Sequence, residues 1–391
     1  MVLADSASDS PGIDPNSPSV AAVRLLAIIE HEFQDGLKNA RRVHAAGPKP
    51  DPESLRAAYL DLLKLCVCDI VGTSTTSVAR TREGLVMSRE LSGEQLRLRA
   101  AGMDWPLHGL TMVGLRRLDD LHSCIESVVG DGVPGDLIEA GSWRGGASLF
   151  MRAALDTMEE SDRTVWVADS FQGFPQADGT QADGYDLSAD LAGCDFLAVP
   201  LEEVRETFAR LGCERGVRFV PGFFQDTLPG LAGRRWSVIR LDGDTYESAR
   251  IAMESLYPGL AAGGYLIVDD YASLDQCREA IDDFRREHGI TEPIEQVDWS
   301  AVKWRRRAEE PISVQAPATI TAPERLAAHP VSRPPRTRVP TIEEVELSEE
   351  LERLRRRLSD AEAELERLLS SPVAGTRAWL ERRRRARREA S

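Results

Sequence analysis

The chain is 391 residues long, enough for one large domain or two ordinary ones with tails. Its formal net charge of -16 excludes an all-over nucleic-acid-binding surface and leaves room only for a local basic patch. No apolar run approaches the ~20 residues of a membrane span, and Met1 to Ser19, rich in Ser, Asp and Pro, lacks the basic and apolar segments of a signal peptide; a soluble, cytoplasmic protein is expected.

Residues 1–18 read as disordered. Residues 19–53 hold a helix and a linker. Val20 to Arg42 has helical apolar spacing through Val23, Leu26, Ile29 and Phe33, and Gly47-Pro-Lys-Pro-Asp-Pro52 breaks it. The next helix, with Ser54 as its cap, runs through Tyr59, Leu60, Leu63 and Val67. Cys66 and Cys68 fall on it. With Cys124, Cys194, Cys213 and Cys277 they form neither CxxC pairs nor a disulfide framework, so buried thiols in a reducing compartment are expected. A polar stretch follows, then a helix over Thr111 to Val129.

From Asp136 the pattern becomes strand and helix in alternation. Strands are expected at Leu137–Glu139, Val165–Ala168, Val217–Val220, Trp236–Leu241 and Tyr265–Val268, with one more within Val297–Trp304. Helices are expected after Gly146, over Leu201–Leu211, Ser248–Leu256 and Gln276–His288, with a short turn at Leu228–Leu231. This alternation means an α/β fold with a mostly parallel sheet covered on both faces. The domain runs from 54 to 310, with its first helices as an N-terminal cap.

Residues 311–340, rich in Pro, Ala and Thr, read as a linker. Thr341-Ile-Glu-Glu344 has the form of a capping box. Leu347, Leu351, Leu354, Leu358, Ala361, Leu365 and Leu368 then recur at alternating spacings of 4 and 3, a coiled-coil seam over 341–370 that implies a homo-oligomer or another coiled-coil partner. A solitary helix packed on the main domain is the competing reading. Residues 371–391 end in an Arg-rich run, Arg382 to Arg388, with Trp379 and Leu380 before it. That is a solvated end or a peripheral contact with an anionic membrane.

The chemistry concentrates after the strands. Asp242-Gly-Asp244 closes one and Asp269-Asp270 closes another. Carboxylates at the carboxyl ends of parallel strands point into the crevice where open α/β sheets bind ligands, and several together suit Mg²⁺ or Ca²⁺. Ordinary Asp-rich turns are the bland alternative. The turn Glu139-Ala-Gly141-Ser142-Trp-Arg144-Gly145-Gly146 lets the backbone approach a ligand closely. A dinucleotide phosphate is one candidate occupant. The glycine spacing departs from Gly-x-Gly-x-x-Gly and suits a nucleoside without a pyrophosphate, such as S-adenosylmethionine, with the following helix N-terminus toward its carboxylate. Asp169 stands after the second strand, where an acid accepts from ribose hydroxyls.

In order, Thr111-Met-Val-Gly114-Leu-Arg-Arg117-Leu-Asp, Glu139-x-Gly-x-Trp-Arg-Gly-Gly146, Asp169-Ser-Phe171-Gln-Gly-Phe-Pro175, Gly222-Phe-Phe-Gln-Asp226-Thr-Leu-Pro229, Leu241-Asp-Gly-Asp-x-Tyr246-Glu-Ser248 and Val268-Asp-Asp-Tyr271 resemble the macrocin O-methyltransferase family. The resemblance spans about Tyr59 to Arg305. It implies a class I S-adenosylmethionine-dependent methyltransferase (Rossmann-like) with S-adenosylmethionine and Mg²⁺ as cofactors. It places the metal ligands at Asp242, Asp269 and Asp270, a general base at Asp244, and the cosubstrate loop at Glu139, Gly141, Ser142, Arg144, Gly145 and Gly146, beside Asp242. It also implies the ribose contact at Asp169 with Ser170, the adenine edge at Gln225 and Asp226, and a segment closing over the methionine end at Thr111 and Met112. His108 and His122, near the helix before the turn, read as structural or surface residues. Acceptor-reading residues are expected over Gly179 to Cys194 and before Trp105.

The expected function is O-methylation of a sugar hydroxyl on a glycosylated natural product or deoxysugar, with a glycosylated small molecule as acceptor. The alternative is a polysaccharide or glycolipid methyltransferase docked through the coiled coil and Arg-rich tail. A non-catalytic scaffold and a nicotinamide-dependent oxidoreductase stand further back, the latter because the glycine spacing is wrong.

Overall fold

A computed structural model describes residues 51–80, 86–174 and 194–307. The expected disordered start, the Val20–Arg42 helix, most of the Gly179–Cys194 loop, the linker, the heptads and the basic tail lie outside the described residues. The chain divides into two compact units. One comprises Met1–Val78 with Ser88–Thr337. The other comprises Ala79–Met87 with Arg338–Ser391 and falls almost wholly outside the described residues.

Helix α1, Pro52–Val67, starts one turn earlier than Ser54 suggests. Asp51 is the cap: its carboxylate accepts from Ser54 N at 2.9 Å, and Pro52 suits the first helical position. The polar stretch after it forms strands β1, Ser74–Arg80, and β2, Val86–Ser92, then helix α2, Leu96–Ala100, and strand β3, Trp105–Pro106; these strands make a small sheet ordered β2-β1-β3. The unbroken hydroxylated run Ser74–Ser77 hides the first strand from a hydrophobic pattern. Helix α3 spans Gly114–Gly130 rather than starting at Thr111, because Gly114 has φ +74° and ends the helical path. Cys66 is exposed, against expectation; the other five cysteines are buried.

The main sheet collects β4 Asp136–Ala140, β5 Val165–Asp169, β6 Val217–Pro221, β7 Trp236–Leu241, β8 Leu260–Val268, β9 Glu295–Gln296 and β10 Val302–Arg305, in the order β6-β5-β4-β7-β8-β10-β9. The first five are parallel and the last two antiparallel, giving the α/β class read from the alternation. Between the strands run α4 Gly146–Thr157, α5 Leu201–Arg210, α6 Phe224–Thr227, α7 Tyr246–Leu256 and α8 Asp275–Glu287. Helix α7 begins at Tyr246, two residues before the expected start, because Thr245 caps it by accepting from Ser248 N at 3.2 Å. Strand β8 continues through Gly263 and Gly264 with a register irregularity against β7, Gly263 having φ +84°; a Cβ at Gly264 would lie 2.8 Å from Ser237 O, so the neighbouring strand requires the glycine.

Two cores flank the sheet. Leu137, Val167 and Val238 face one side with Leu118, Ile125 and Phe150. Ile138, Trp166 and Ile239 face the other with Met253, Leu256 and Phe284. The two-residue period of the strands sorts them. Helix α8 is amphipathic, burying Cys277, Ala280, Ile281 and Phe284, with roughly 1.5–3 kcal/mol for a side chain such as Phe284. The chain builds outward from β4 to β5 and β6, then crosses back to β7 and β8. Strands β4 and β7 are therefore neighbours whose connections leave in opposite directions, which opens a crevice at their carboxyl ends.

Candidate active site at the carboxyl ends of the strands

One wall of the crevice is the turn after β4. Gly141, at φ +91°, lies so close to the next strand end that a Cβ there would sit 1.9 Å from Asp242 O. Gly145, at φ +77°, starts α4 against Val204 and Phe208 of α5. A Cβ on Gly146 would lie 2.5 Å from Leu110 O, which accepts the Gly146 N–H at 2.9 Å. Leu110 and the buried Thr111 thus lie against the first turn of α4, with half-buried Met112 beside them.

Asp169 organises this turn. Its Oδ2 accepts from Ser142 N at 2.7 Å and Trp143 N at 2.9 Å, and its Oδ1 accepts from Phe171 N at 2.8 Å. These bonds account for the positive φ of Trp143, 47°, and Phe171, 55°, both of which a non-glycine residue adopts only under constraint. Asp169 Oδ2 thereby uses both of its lone pairs, while Oδ1 keeps one for another donor. Ser170 Oγ donates to Gly173 O at 2.7 Å, inside the next turn. Arg144 points the other way, donating to Leu107 O at 2.8 Å and Gly109 O at 2.9 Å and lying over Trp143 at 4.2 Å, so it fixes the segment ahead of Thr111. Gln225 and Asp226 are exposed on α6, beyond the end of β6.

The other wall is acidic. One carboxylate oxygen each from Asp242, Asp244 and Asp270 lies within 4.8 Å of the others. Asp244, at φ +50°, holds a strained backbone that brings it into the group. Asp270 Oδ2 is buried without a hydrogen-bond partner. Burial, then the charge of Asp269, raises the Asp242 pKa. Burial and the charges of Asp242 and Asp269 push Asp244 up to about 8. Burial and the charge of Asp244 push Asp270 well above the usual carboxylate range. An orphaned buried oxygen among mutually repelling carboxylates fits a hard divalent cation with oxygen ligands.

Asp269 stands apart from that trio. Its Oδ1 accepts from Arg240 Nη2 and its Oδ2 from Arg117 Nη1. Arg117 Nε also donates to Asp298 Oδ2 at 2.7 Å, and its guanidinium lies 5.2 Å over Trp299. Arg240 Nη1 donates to Glu139 Oε1 at 2.7 Å and to Asp242 Oδ2 at 3.0 Å. Burial opposes the charge of both arginines, but their carboxylate partners outweigh it and drive both pKa values up. Glu139 is only 2% exposed, its Oε2 accepting from Ser148 Oγ. Burial pushes its pKa to about 7 against the pull of Arg240. Arg240, Arg117, Asp298 and Ser148 were not read from the sequence. An arginine inside the apolar run Trp236–Leu241 was the available signal, since a charge in a covered strand needs partners.

His108 is exposed. His122 lies within α3, 3.5 Å from Lys64 Nζ and edge-on to Phe150 at 5.7 Å. Burial, then the Lys64 charge, lowers its pKa, and it packs between helices away from the crevice. No helix among the described residues is long and apolar enough to cross a membrane.

A family model described as Macrocin-O-methyltransferase (TylF) matches residues 57–306. The chain is 46% identical over 271 residues to the 8-demethyl-8-(2,3-dimethoxy-alpha-L-rhamnosyl)-tetracenomycin-C 4'-O-methyltransferase of Streptomyces olivaceus, covering 68% of this chain and 99% of that one. It is 41% identical over 256 residues to the Mycinamicin III 3''-O-methyltransferase of Micromonospora griseorubida, covering 64% and 96%. Among solved structures it is similar to the O-methyltransferase NovP, at 38% identity and a TM-score of 0.56, over 65% of this chain and all of that one.

Proposed function

This chain belongs to the Macrocin-O-methyltransferase (TylF) family, and we propose that it moves the methyl group of S-adenosylmethionine onto a sugar hydroxyl of a glycosylated natural product, with Mg²⁺ assistance. The class of reaction, O-methyl transfer from S-adenosylmethionine on a class I methyltransferase fold, follows from the family and from the NovP-like fold. The acceptor and the metal are the proposal. The observation that carries the metal is the buried, unpartnered Asp270 Oδ2 beside Asp242, opposite the Gly141–Gly146 turn. The acceptor class is supported by the tetracenomycin relative, whose name carries a rhamnosyl group and a 4'-O position, and by the 3''-O position in the name of the mycinamicin relative.

The two walls divide the work. The Gly141–Gly146 turn, Asp169 and Ser170 hold the cosubstrate, the Thr111–Met112 segment covers its methionine end, and Gln225 and Asp226 border its adenine. Asp242, Asp269 and Asp270 would hold the cation. Asp269 can join them because each of its oxygens accepts one arginine and keeps a second lone pair. A divalent cation, when bound, would supply Lewis-acid chemistry that lowers the pKa of an acceptor hydroxyl, otherwise a poor nucleophile near neutral pH. Asp244, left free, accepts the hydroxyl proton. The acceptor oxygen then attacks the sulfonium methyl carbon in line; the C–S bond breaks, its electrons remain on sulfur, and S-adenosylhomocysteine leaves. Positioning by the two fixed walls supplies much of the acceleration.

The test is transfer of labelled methyl from S-adenosylmethionine to a panel of rhamnosyl and other deoxysugar glycosides, with Mg²⁺ and with chelator. Mg²⁺-dependent labelling of a sugar oxygen is expected. Labelling that is indifferent to chelator removes the metal, and labelling of an aglycone phenol in place of the sugar removes the acceptor assignment.

A further inference from the structure

We propose that Arg240 is a positioning residue that couples the cosubstrate turn to the metal carboxylates, so that the cosubstrate and a divalent cation bind with reciprocal positive cooperativity. The inference rests on the assignment of the two walls made above.

Glu139 and Arg240 are register partners on β4 and β7, so their side chains leave the same face of the sheet. Glu139 precedes the Gly-rich turn and Ser148 follows it. Their hydrogen bond closes the turn like a clasp, with both groups buried. The other oxygen of Glu139 is held by Arg240 Nη1 at 2.7 Å, and the same nitrogen donates to Asp242 at 3.0 Å while Nη2 donates to Asp269. One guanidinium, 2% exposed, thus joins the clasp to two acids at the ends of β7 and β8. A planar guanidinium presents its donors in a rigid fork, a geometry that the compact point charge of an ammonium does not reproduce.

With Asp242 and Asp269 engaged by a cation, less of their charge faces Arg240. Its shared Nη1 then settles on Glu139, which tightens the clasp and fixes both sides of the turn before the cosubstrate arrives. By linkage, a cosubstrate that favours the closed clasp returns the same factor to the cation. Arg117 serves as the control. It binds Asp269 and Asp298 but makes none of these contacts with the turn.

Calorimetric titration of S-adenosylhomocysteine with and without Mg²⁺, and of Mg²⁺ with and without S-adenosylhomocysteine, measures the coupling directly in the full chain. The native protein should give one factor from both directions, about 5- to 150-fold. Arg240→Lys and Ser148→Ala should each bring it below about two-fold while both ligands still bind singly. Arg117→Lys should weaken Mg²⁺ and keep the native factor. If Arg240→Lys fails to fold, Ser148→Ala, which buries no new charge, decides. Native protein that binds both ligands independently overturns the inference alone, as does coupling that survives in Ser148→Ala. Native protein that binds neither ligand overturns the methyltransferase reading together with it.

Discussion

The two walls of the crevice are built on different principles. The β4 side is fixed by backbone: Gly141 and Gly146 stand where a Cβ would fall 1.9 Å and 2.5 Å from neighbouring carbonyl oxygens, and Asp169 pins two amides of the turn. The β7–β8 side is fixed by charge: carboxylates that repel one another are held by two buried arginines, with one oxygen of Asp270 left unpaired. A backbone-built pocket has its shape before any ligand arrives. A charge-built pocket changes with pH and ionic content, because its energy depends on which groups are ionised.

Substitutions that touch one wall at a time break the comparison. Asp242→Asn should have the largest effect, lowering kcat by about a thousand-fold through loss of cation stabilisation; in chelator S-adenosylhomocysteine should still bind within several-fold by calorimetry, since the turn is untouched. Asp244→Asn should lower kcat by about a hundred-fold or more if it carries the proton away, and Mg²⁺ affinity should hold. Weakened Mg²⁺ binding in that variant would make Asp244 a ligand in place of Asp269. Gly146→Ala is the converse. It should weaken S-adenosylhomocysteine by about ten-fold, since its Cβ meets the Leu110 carbonyl, and leave Mg²⁺ titrations close to native.

The smallest effect is that of pH on stability. Asp244 sits near 8 and Asp270 is raised well above the usual range. A carboxylate whose folded pKa is raised favours the folded state below its unfolded value, near 4, and loses that contribution as pH climbs through the folded value. The cation-free protein should therefore lose thermal stability between about pH 4 and pH 8. Added Mg²⁺ should restore more of it at pH 8 than at pH 5, because its ligands must be deprotonated. A Tm that rises with pH in chelator would contradict the acidic-wall geometry.

The same contrast explains what the sequence made legible. Strand and helix alternation gave the sheet because period and length survive in a linear string; Trp236–Leu241 was bounded to the residue. The turn was legible because its glycines are required locally. The direction of Asp269 was not, since it depends on Arg240 and on Arg117, 152 residues away in the chain. The small sheet of β1 to β3 was missed because Ser and Thr there give no apolar alternation. The strand expected from Tyr265 starts five residues earlier, at Leu260, because a close neighbouring strand makes Gly264 a strand residue.

The measurement that reaches furthest is a calorimetric titration of Mg²⁺ into chelator-stripped protein, native and Asp242→Asn. The two-wall mechanism predicts one saturable Mg²⁺ site in the native chain, lost in the variant, with S-adenosylhomocysteine binding in chelator preserved in both. Native protein with no Mg²⁺ site, or a variant that binds Mg²⁺ as the native chain does, would contradict it.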